Sequence, residues 1–281
     1  MNGYVLTEEK LAAFEAYLRK EEHEKATIEK YIRNVQFFAR WLEGKAVTKE
    51  TVAEWKSFLQ KEKYAPGTTN AKLSSLNSFF CFAHLEKFRV KFLHIQRPMF
   101  REDSKDLLRA EYERLLRAAR QTGDKRLELV MKTMGATGIR VSELAYITVE
   151  AARRGRTTIK LKGKIRVILL PEKLCRELLK YVKKCRIATG EIFLTKNGKS
   201  LSRRQIWREM KKLCRYAKVE DSKVYPHNLC HFFATMFYKA TKDIVKLADV
   251  LGHSSIGTTR IYLLTTGKEH ARQISQLNLV I

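Results

Sequence analysis

The stretch Tyr225 to Tyr262, YPHNLCHFFATMFYKATKDIVKLADVLGHSSIGTTRIY, decides how the chain is read. Its second residue, Pro226, opens a helix on which His227, Cys230 and His231 fall three and four positions apart, hence on one face, with Thr235 one turn further on. A second helix, about Lys242 to Leu251, ends at Gly252, the usual residue for a left-handed C-cap, and presents His253 just past the helix end. Ser254 or Ser255 can then cap a third helix that carries Tyr262. Two histidines, a further polar position and a tyrosine are thus gathered from helix ends within roughly forty residues, a close spacing given how short helix connections usually are.

His227-Asn-Leu-Cys230-His231-Phe-Phe-Ala234-Thr235 resembles the H-x-L-R-H-x-F-A-T signature of the tyrosine recombinases, the group of phage integrases and Xer-type enzymes. Leu251-Gly252-His253 through Thr258-Thr259-Arg260-Ile261-Tyr262 resembles their L-G-H-x-x-I-x-T-T-x-x-Y ending. One position departs: Cys230 stands where the family has its second catalytic arginine.

Composition points the same way. The 281 residues exceed a common single-domain length, so two domains are expected. Lys plus Arg number 56 against 30 Asp plus Glu, a formal charge of +26, which attracts polyanions and makes double-stranded DNA the leading partner. A basic surface kept only for solubility is the weaker explanation, since acidic residues serve that purpose better. No apolar run reaches the 18 or so residues of a membrane span, and no signal-peptide core follows Met1, so a cytoplasmic protein away from membranes is expected. The five cysteines are scattered and form no C-x-x-C pair, which fits reduced thiols. Cys230 with His227, His231 and His253 is the one set that suggests a metal, but it lacks the paired signature of zinc sites, and no metal is expected.

Four helices are expected in the first 95 residues, at Leu6 to about Glu21, Thr27 to Leu42, behind Thr48, and after the turn Pro66-Gly67-Thr68-Thr69. Their aromatic residues follow the buried periodicity and read as core. Lys25, Lys30 and Arg33 fall on the other side of the second helix, and Thr68, Thr69, Asn70 and Lys72 crowd the start of the fourth. Both groups are expected to hold DNA phosphates. The region resembles the core-binding, SAM-like domain of the family.

From Arg89 to Asp106 the periodicity lapses, with Pro98 marking the break. A basic linker is expected over residues 96–106, with Arg97 and Arg101 on the DNA backbone. The second domain, 107–281, starts with helices at about 109–121 and 125–136. These lead to Gly135-Ala-Thr-Gly138-Ile-Arg140-Val-Ser142-Glu143-Leu144, which resembles the family's T-G-x-R-x-S-E-L box and holds Arg140 at a helix junction. Thr157 to Leu161 and Ile165 to Leu170 read as a hairpin around Lys162-Gly163-Lys164. Helices at about 172–187 and 202–218 follow, with Trp207 and Leu213 expected in the core. The fold class is therefore mainly α, a four-helix bundle plus an α-rich catalytic domain with a small β-sheet.

The chemistry implied by the resemblance is phosphodiester exchange through a protein hydroxyl. A tyrosine phenol, with pKa near 10, attacks phosphorus, and the covalent link keeps the bond energy for rejoining. Charge develops on the two non-bridging oxygens, where a guanidinium fork suits best. The resemblance assigns Arg140 to this clamp, His253 to a hydrogen bond on the phosphate, and His227 to acid–base assistance. Lys162, with Lys164 as alternative, protonates the departing 5′-oxygen, and Tyr262 is the nucleophile; Glu143 orients its neighbours. With such cations present no cofactor is expected. Cys230 cannot replace a bidentate cation, so the chain is expected to bind its site and cleave poorly. A type IB topoisomerase, or a sequence-specific DNA-binding protein that has lost catalysis, are the alternatives. The tail 264–281, with Ala271, Ile274, Leu277, Leu279, Val280 and Ile281, is expected to dock on a neighbouring copy in a tetramer on DNA.

Overall fold

Thr7 starts the first helix: its side chain accepts from the Lys10 amide, and Glu8 and Glu9 follow where the helix dipole favours acids. The computed structural model describes residues 4–96, 106–161, 164–253, 255–262, 272 and 274–277, and divides into two units, Met1–Arg97 and Pro98–Ile281.

The first unit contains α1 (Glu8–Lys20), α2 (Lys25–Leu42), α3 (Lys49–Lys61) and α4 (Pro66–Phe82). A capping box between Thr48 and Thr51 opens α3. Pro66 itself begins α4, since a missing N–H costs nothing in the first turn. Thr68 and Thr69 therefore lie inside the helix rather than in a turn and cap before it. Phe14, Phe38, Trp55, Phe79 and Phe80 are fully or almost fully buried, as their spacing required. Each such side chain contributes about 1.5–3 kcal/mol of transfer free energy. The buried amide of Asn34 donates to Ser75 Oγ at 2.9 Å, so this polar group in the core has a partner.

The residues after α4 are not a free connector from Arg89 onward. Asn77 Nδ2 donates to the Val90 carbonyl at 3.0 Å and its Oδ1 accepts from the Val90 amide at 3.1 Å. Asn70 treats Leu93 in the same way, at 2.9 and 2.7 Å. The extended stretch is thus pinned to the helix that precedes it.

The second unit contains α5 (Arg109–Gln121), α6 (Lys125–Thr137), α7 (Val149–Arg154), β1 (Arg156–Leu161), β2 (Lys164–Leu169), α8 (Glu172–Cys185), α9 (Arg203–Ala217), α10 (Pro226–Thr241), α11 (Ile244–Leu251) and α12 (Ile256–Thr259). Helix α6 is its axis: Leu127, Leu129, Val130, Met131 and Met134 are all buried, and it packs against α5, α8, α9 and α10. Its one buried acid, Glu128, is held by Arg120, Lys125 and Lys132 at 2.6, 2.8 and 2.9 Å. Strands β1 and β2 pair antiparallel, Arg156 opposite Leu169 through Leu161 opposite Lys164. Leu213 is buried as expected, but Trp207 is 43% exposed. Helix α9 turns that ring outward beside Lys211, whose ammonium stands 5.7 Å from its centroid. Among the described residues no helix is long and apolar enough to cross a membrane.

Candidate active site

Helix α6 ends where Gly138 takes φ +65°. A Cβ there would come within 2.5 Å of the Phe233 ring on α10, so only glycine lets the two helices close at this point. The chain leaves the turn through buried Ile139 and delivers Arg140 to the start of a 3-10 turn, Val141–Tyr146. Glu143, almost fully buried, accepts the Arg140 backbone amide at 2.8 Å and the Arg140 Nη1 at 3.1 Å. Arg140 Nη2 reaches the Leu251 carbonyl at 3.4 Å, while the side chain as a whole stays 43% exposed. One edge of the guanidinium is fixed by protein and the side chain remains open to a ligand.

A second guanidinium shares those two acceptors. Arg166, on β2, donates Nη2 to the other oxygen of Glu143 at 2.5 Å and Nη1 to the same Leu251 carbonyl. Its side chain is only 10% exposed, and its buried Nε–H has no hydrogen-bond partner among the described residues.

Helix α10 brings up the quoted face, but not as one face toward one place. Cys230 points inward and donates from Sγ to the Ile139 carbonyl at 3.0 Å. Burial, then the nearby Glu143 carboxylate, push its thiol up to about 12 against the pull of Arg140 and Arg166, so it is neutral. His227, at the first turn, is exposed, yet desolvation by the surrounding protein, with Arg203 and Arg140 adding repulsion, lowers its pKa below 6.5. His231 turns to Tyr262, the rings meeting edge to face with centroids 4.6 Å apart. Its Nδ1 is 3.4 Å from Thr235 Oγ1.

Helix α11, capped by Asp243, ends at Gly252 with φ +63°, and His253 follows. The His253 Nδ1 pairs with Thr259 Oγ1 at 2.9 Å, which fixes the ring plane. Ser255 caps α12, and the 3-10 turn Arg260–Tyr262 continues from it. Tyr262 is 7% exposed, packed with Ala234, Leu247 and Leu251, and its ring lies nearly parallel to His253 at 6.1 Å. Arg140, Arg166, His253 and Tyr262 therefore converge on the last turn of α11, with Cys230 behind Glu143 and His227 near Arg140.

Of the other expected residues, Lys162 lies outside the described residues, and Lys164 is placed by its strand pairing alone. Lys25, Lys30 and Arg33 are exposed on α2, and Thr68 is exposed in the first turn of α4. Thr69 is a correction: it is fully buried and cannot face a phosphate. Asn70 is a second, because its amide is committed to Leu93. Lys72 lies over the rings of Phe37 and Tyr64, at 4.2 and 5.1 Å, and desolvation, then Arg33, lower its pKa. Arg97 and Arg101 fall outside the described residues, as does most of the tail, although Ile274 and Leu277 are exposed. Among the described residues no group of three His, Cys, Asp or Glu side chains could hold a metal ion.

Sequence reasoning missed Arg166 and the contact of His231 with Tyr262. Arg166 had a faint signal: it shares strand parity with Ile168, and a charge on the inward side of a strand calls for a partner. His231 had none beyond its spacing.

Residues 105–268 match the profile of the phage integrase family, and residues 11–83 match that of its N-terminal SAM-like domain. The chain is 29% identical over 289 residues to the tyrosine recombinase XerA of Pyrococcus furiosus, covering 100% of this chain and 98% of the relative. It is 30% identical over 278 residues to the XerA of Thermococcus kodakarensis, covering 95% and 94%. Among solved structures, a lambda integrase tetramer bound to a Holliday junction shares the fold with a TM-score of 0.71 at 19% identity, over 93% of this chain and 78% of that one.

Proposed function

This chain belongs to the phage integrase family, and from that premise we propose that it is a site-specific recombinase that cuts and rejoins double-stranded DNA through a phosphotyrosyl link at Tyr262. The observation that carries the reading is the convergence of Arg140, His253 and Tyr262 on the Leu251 turn, each at its motif position.

In the first step the Tyr262 oxygen bonds to phosphorus, the bond from phosphorus to the 5′-oxygen breaks, and a 5′-hydroxyl departs with a proton. Rejoining reverses the step, so nothing is consumed. Arg140 meets the non-bridging oxygens with a fork that Glu143 has already oriented. His253, its ring fixed through Thr259, hydrogen-bonds the same phosphate. His227, with its pKa held below 6.5, is neutral near pH 7 and acts as a proton acceptor. Lys162 supplies the proton to the departing oxygen.

Binding draws on phosphate contacts made from both domains, and a charge of +26 implies a log–log salt slope of magnitude roughly 5 or more. On DNA the protein works as a tetramer in which the tail after Tyr262 docks on a neighbouring copy. Deleting the residues after Gly267 is expected to spare binding to a single site and weaken cooperative assembly.

The test uses a duplex selected for binding from a randomised library and rebuilt with a nick beside the cut position, so that the leaving strand diffuses away. A covalent adduct that disappears in Tyr262→Phe supports the proposal; tight binding without any adduct counts against it. A second reading, a binder with attenuated cleavage, is favoured by one observation: Cys230 is buried and neutral where the family places an arginine. That reading requires the second positive charge to be missing from the site altogether.

A further inference from the structure

We infer that Arg166 supplies the positive charge that position 230 lacks, delivering it from strand β2 instead of helix α10. The inference rests on the recombinase reading and concerns how the same site is balanced.

The argument begins with Glu143. One carboxylate beside one arginine makes a pair of net charge zero, which gives a phosphate dianion-like transition state little to bind. Here the carboxylate divides its oxygens, Oε1 to Arg140 and Oε2 to Arg166. Two cations on one anion leave a surplus of one positive charge beside the phosphate position. Without Arg166, Glu143 would neutralise Arg140.

The Leu251 carbonyl is shared in the same manner, and this matters because it terminates α11. The carbonyl end of a helix carries a partial negative charge that both guanidiniums offset. Their common grip also holds the turn that presents His253. The Arg166 stem runs across Gly252, with Cδ 2.5 Å from where a glycine Cβ would stand, so the chain is built to let this side chain pass.

Two further observations set Arg166 apart from an ordinary surface pair. It is nine-tenths buried, so its charge acts through little water and is felt over a longer distance than an exposed one. Its Nε–H is buried without a partner among the described residues, an expense that folded chains seldom carry without a use for the group. Position 230 is near enough to Glu143, Arg140 and Arg166 for all three to act on its thiol, so a charge at either 166 or 230 reaches the same carboxylate. Arg166 is thereby a positioning and charge-balancing residue rather than a group that touches the reacting atoms.

The experiment measures single-turnover adduct formation on the selected nicked duplex, alongside noncovalent affinity for the intact duplex and the thermal midpoint. Arg166→Gln is expected to lower the adduct rate about a hundredfold or more with affinity changed a few-fold at most. The double variant Arg166→Gln with Cys230→Arg is expected to recover at least about tenfold of that loss, which a purely structural role for Arg166 would not allow. Arg166→Lys, which keeps the charge, serves where the glutamine form does not fold, and is expected to stay within about tenfold of the parent. Cleavage by Arg166→Gln at the parent rate, a lysine form as dead as one lacking Arg140, or a double variant with no recovery overturns the inference. So does a hundredfold gain from Cys230→Arg alone with Arg166 in place, which leaves the recombinase reading standing. Absence of a Tyr262-dependent adduct in every variant overturns both.

Discussion

The thiol of Cys230 donates to the carbonyl oxygen of Ile139 at 3.0 Å, across the junction where α6 hands the chain to Arg140. Burial, then Glu143, raise this thiol to about 12, so at pH 8 only on the order of one molecule in ten thousand carries the thiolate. Iodoacetamide at that pH is expected to label exposed Cys81 and Cys185 while sparing Cys230 until the protein is unfolded. Peptide mass spectrometry reads the outcome, and early labelling of Cys230 would mean that the junction opens in the native state.

Tyr262 is packed against α10 and α11 of its own chain, which predicts that each protomer attacks with its own tyrosine. Arg140→Ala and Tyr262→Phe should each be silent, the former by at least a hundredfold. A mixture of the two should remain silent. Recovery of adduct on mixing would mean that the tyrosine is delivered to a neighbour's arginine.

Glu128 predicts the acid limb of stability. Burial alone would raise its pKa, but hydrogen bonds from Lys125, Lys132 and Arg120 outweigh it and bring the value to about 2 from 4.5. A depressed carboxylate adds stability above its unfolded value and loses it as pH falls toward its folded one. Glu128→Gln should therefore cost roughly 2–3 kcal/mol near pH 7, with the difference shrinking below 4.5. Denaturant titrations of both proteins at several pH values test this, and a pH-independent gap would locate the loss in packing instead.

Gly252→Ala asks for two things the site cannot give. Its φ of +63° costs an alanine about 1–2 kcal/mol, and the new methyl would meet Arg166. The adduct rate should fall more than duplex affinity, because the displaced groups are Arg166 and His253 while the rest of the phosphate contacts persist. Equal losses in both measurements would argue against a local effect.

The helices were legible because their caps and periods agree: Thr48 with Thr51, Asp124 before α6, and Gly252 after α11 all act where the pattern placed them. The site was legible to the extent that its residues lie in short motifs. Arg166 was hidden because β2 is apolar on both sides: Ile165, Val167 and Leu169 face out, Ile168 faces in, and alternation therefore gives no parity. Thr69 and Asn70 misled because a hydroxyl or amide at a helix start satisfies a neighbouring backbone as readily as a phosphate, and only the position of residues 90–93 decides between them. Trp207 was taken for core on hydrophobicity alone, although α9 exposes that side.

The two asparagine clamps on α4 carry a rule about length. Asn70 and Asn77 are seven residues apart, close to two full turns, so both amides emerge on one side of the helix about 10.5 Å from each other. Their targets, Val90 and Leu93, are three extended residues apart and span about 10 Å. The two spacings are commensurate at this one alignment, with the extended stretch running back toward the helix start. An inserted residue between Ala83 and Arg89 can be taken up by the turn there, whereas a single insertion between Val90 and Leu93 leaves one asparagine facing the wrong backbone group.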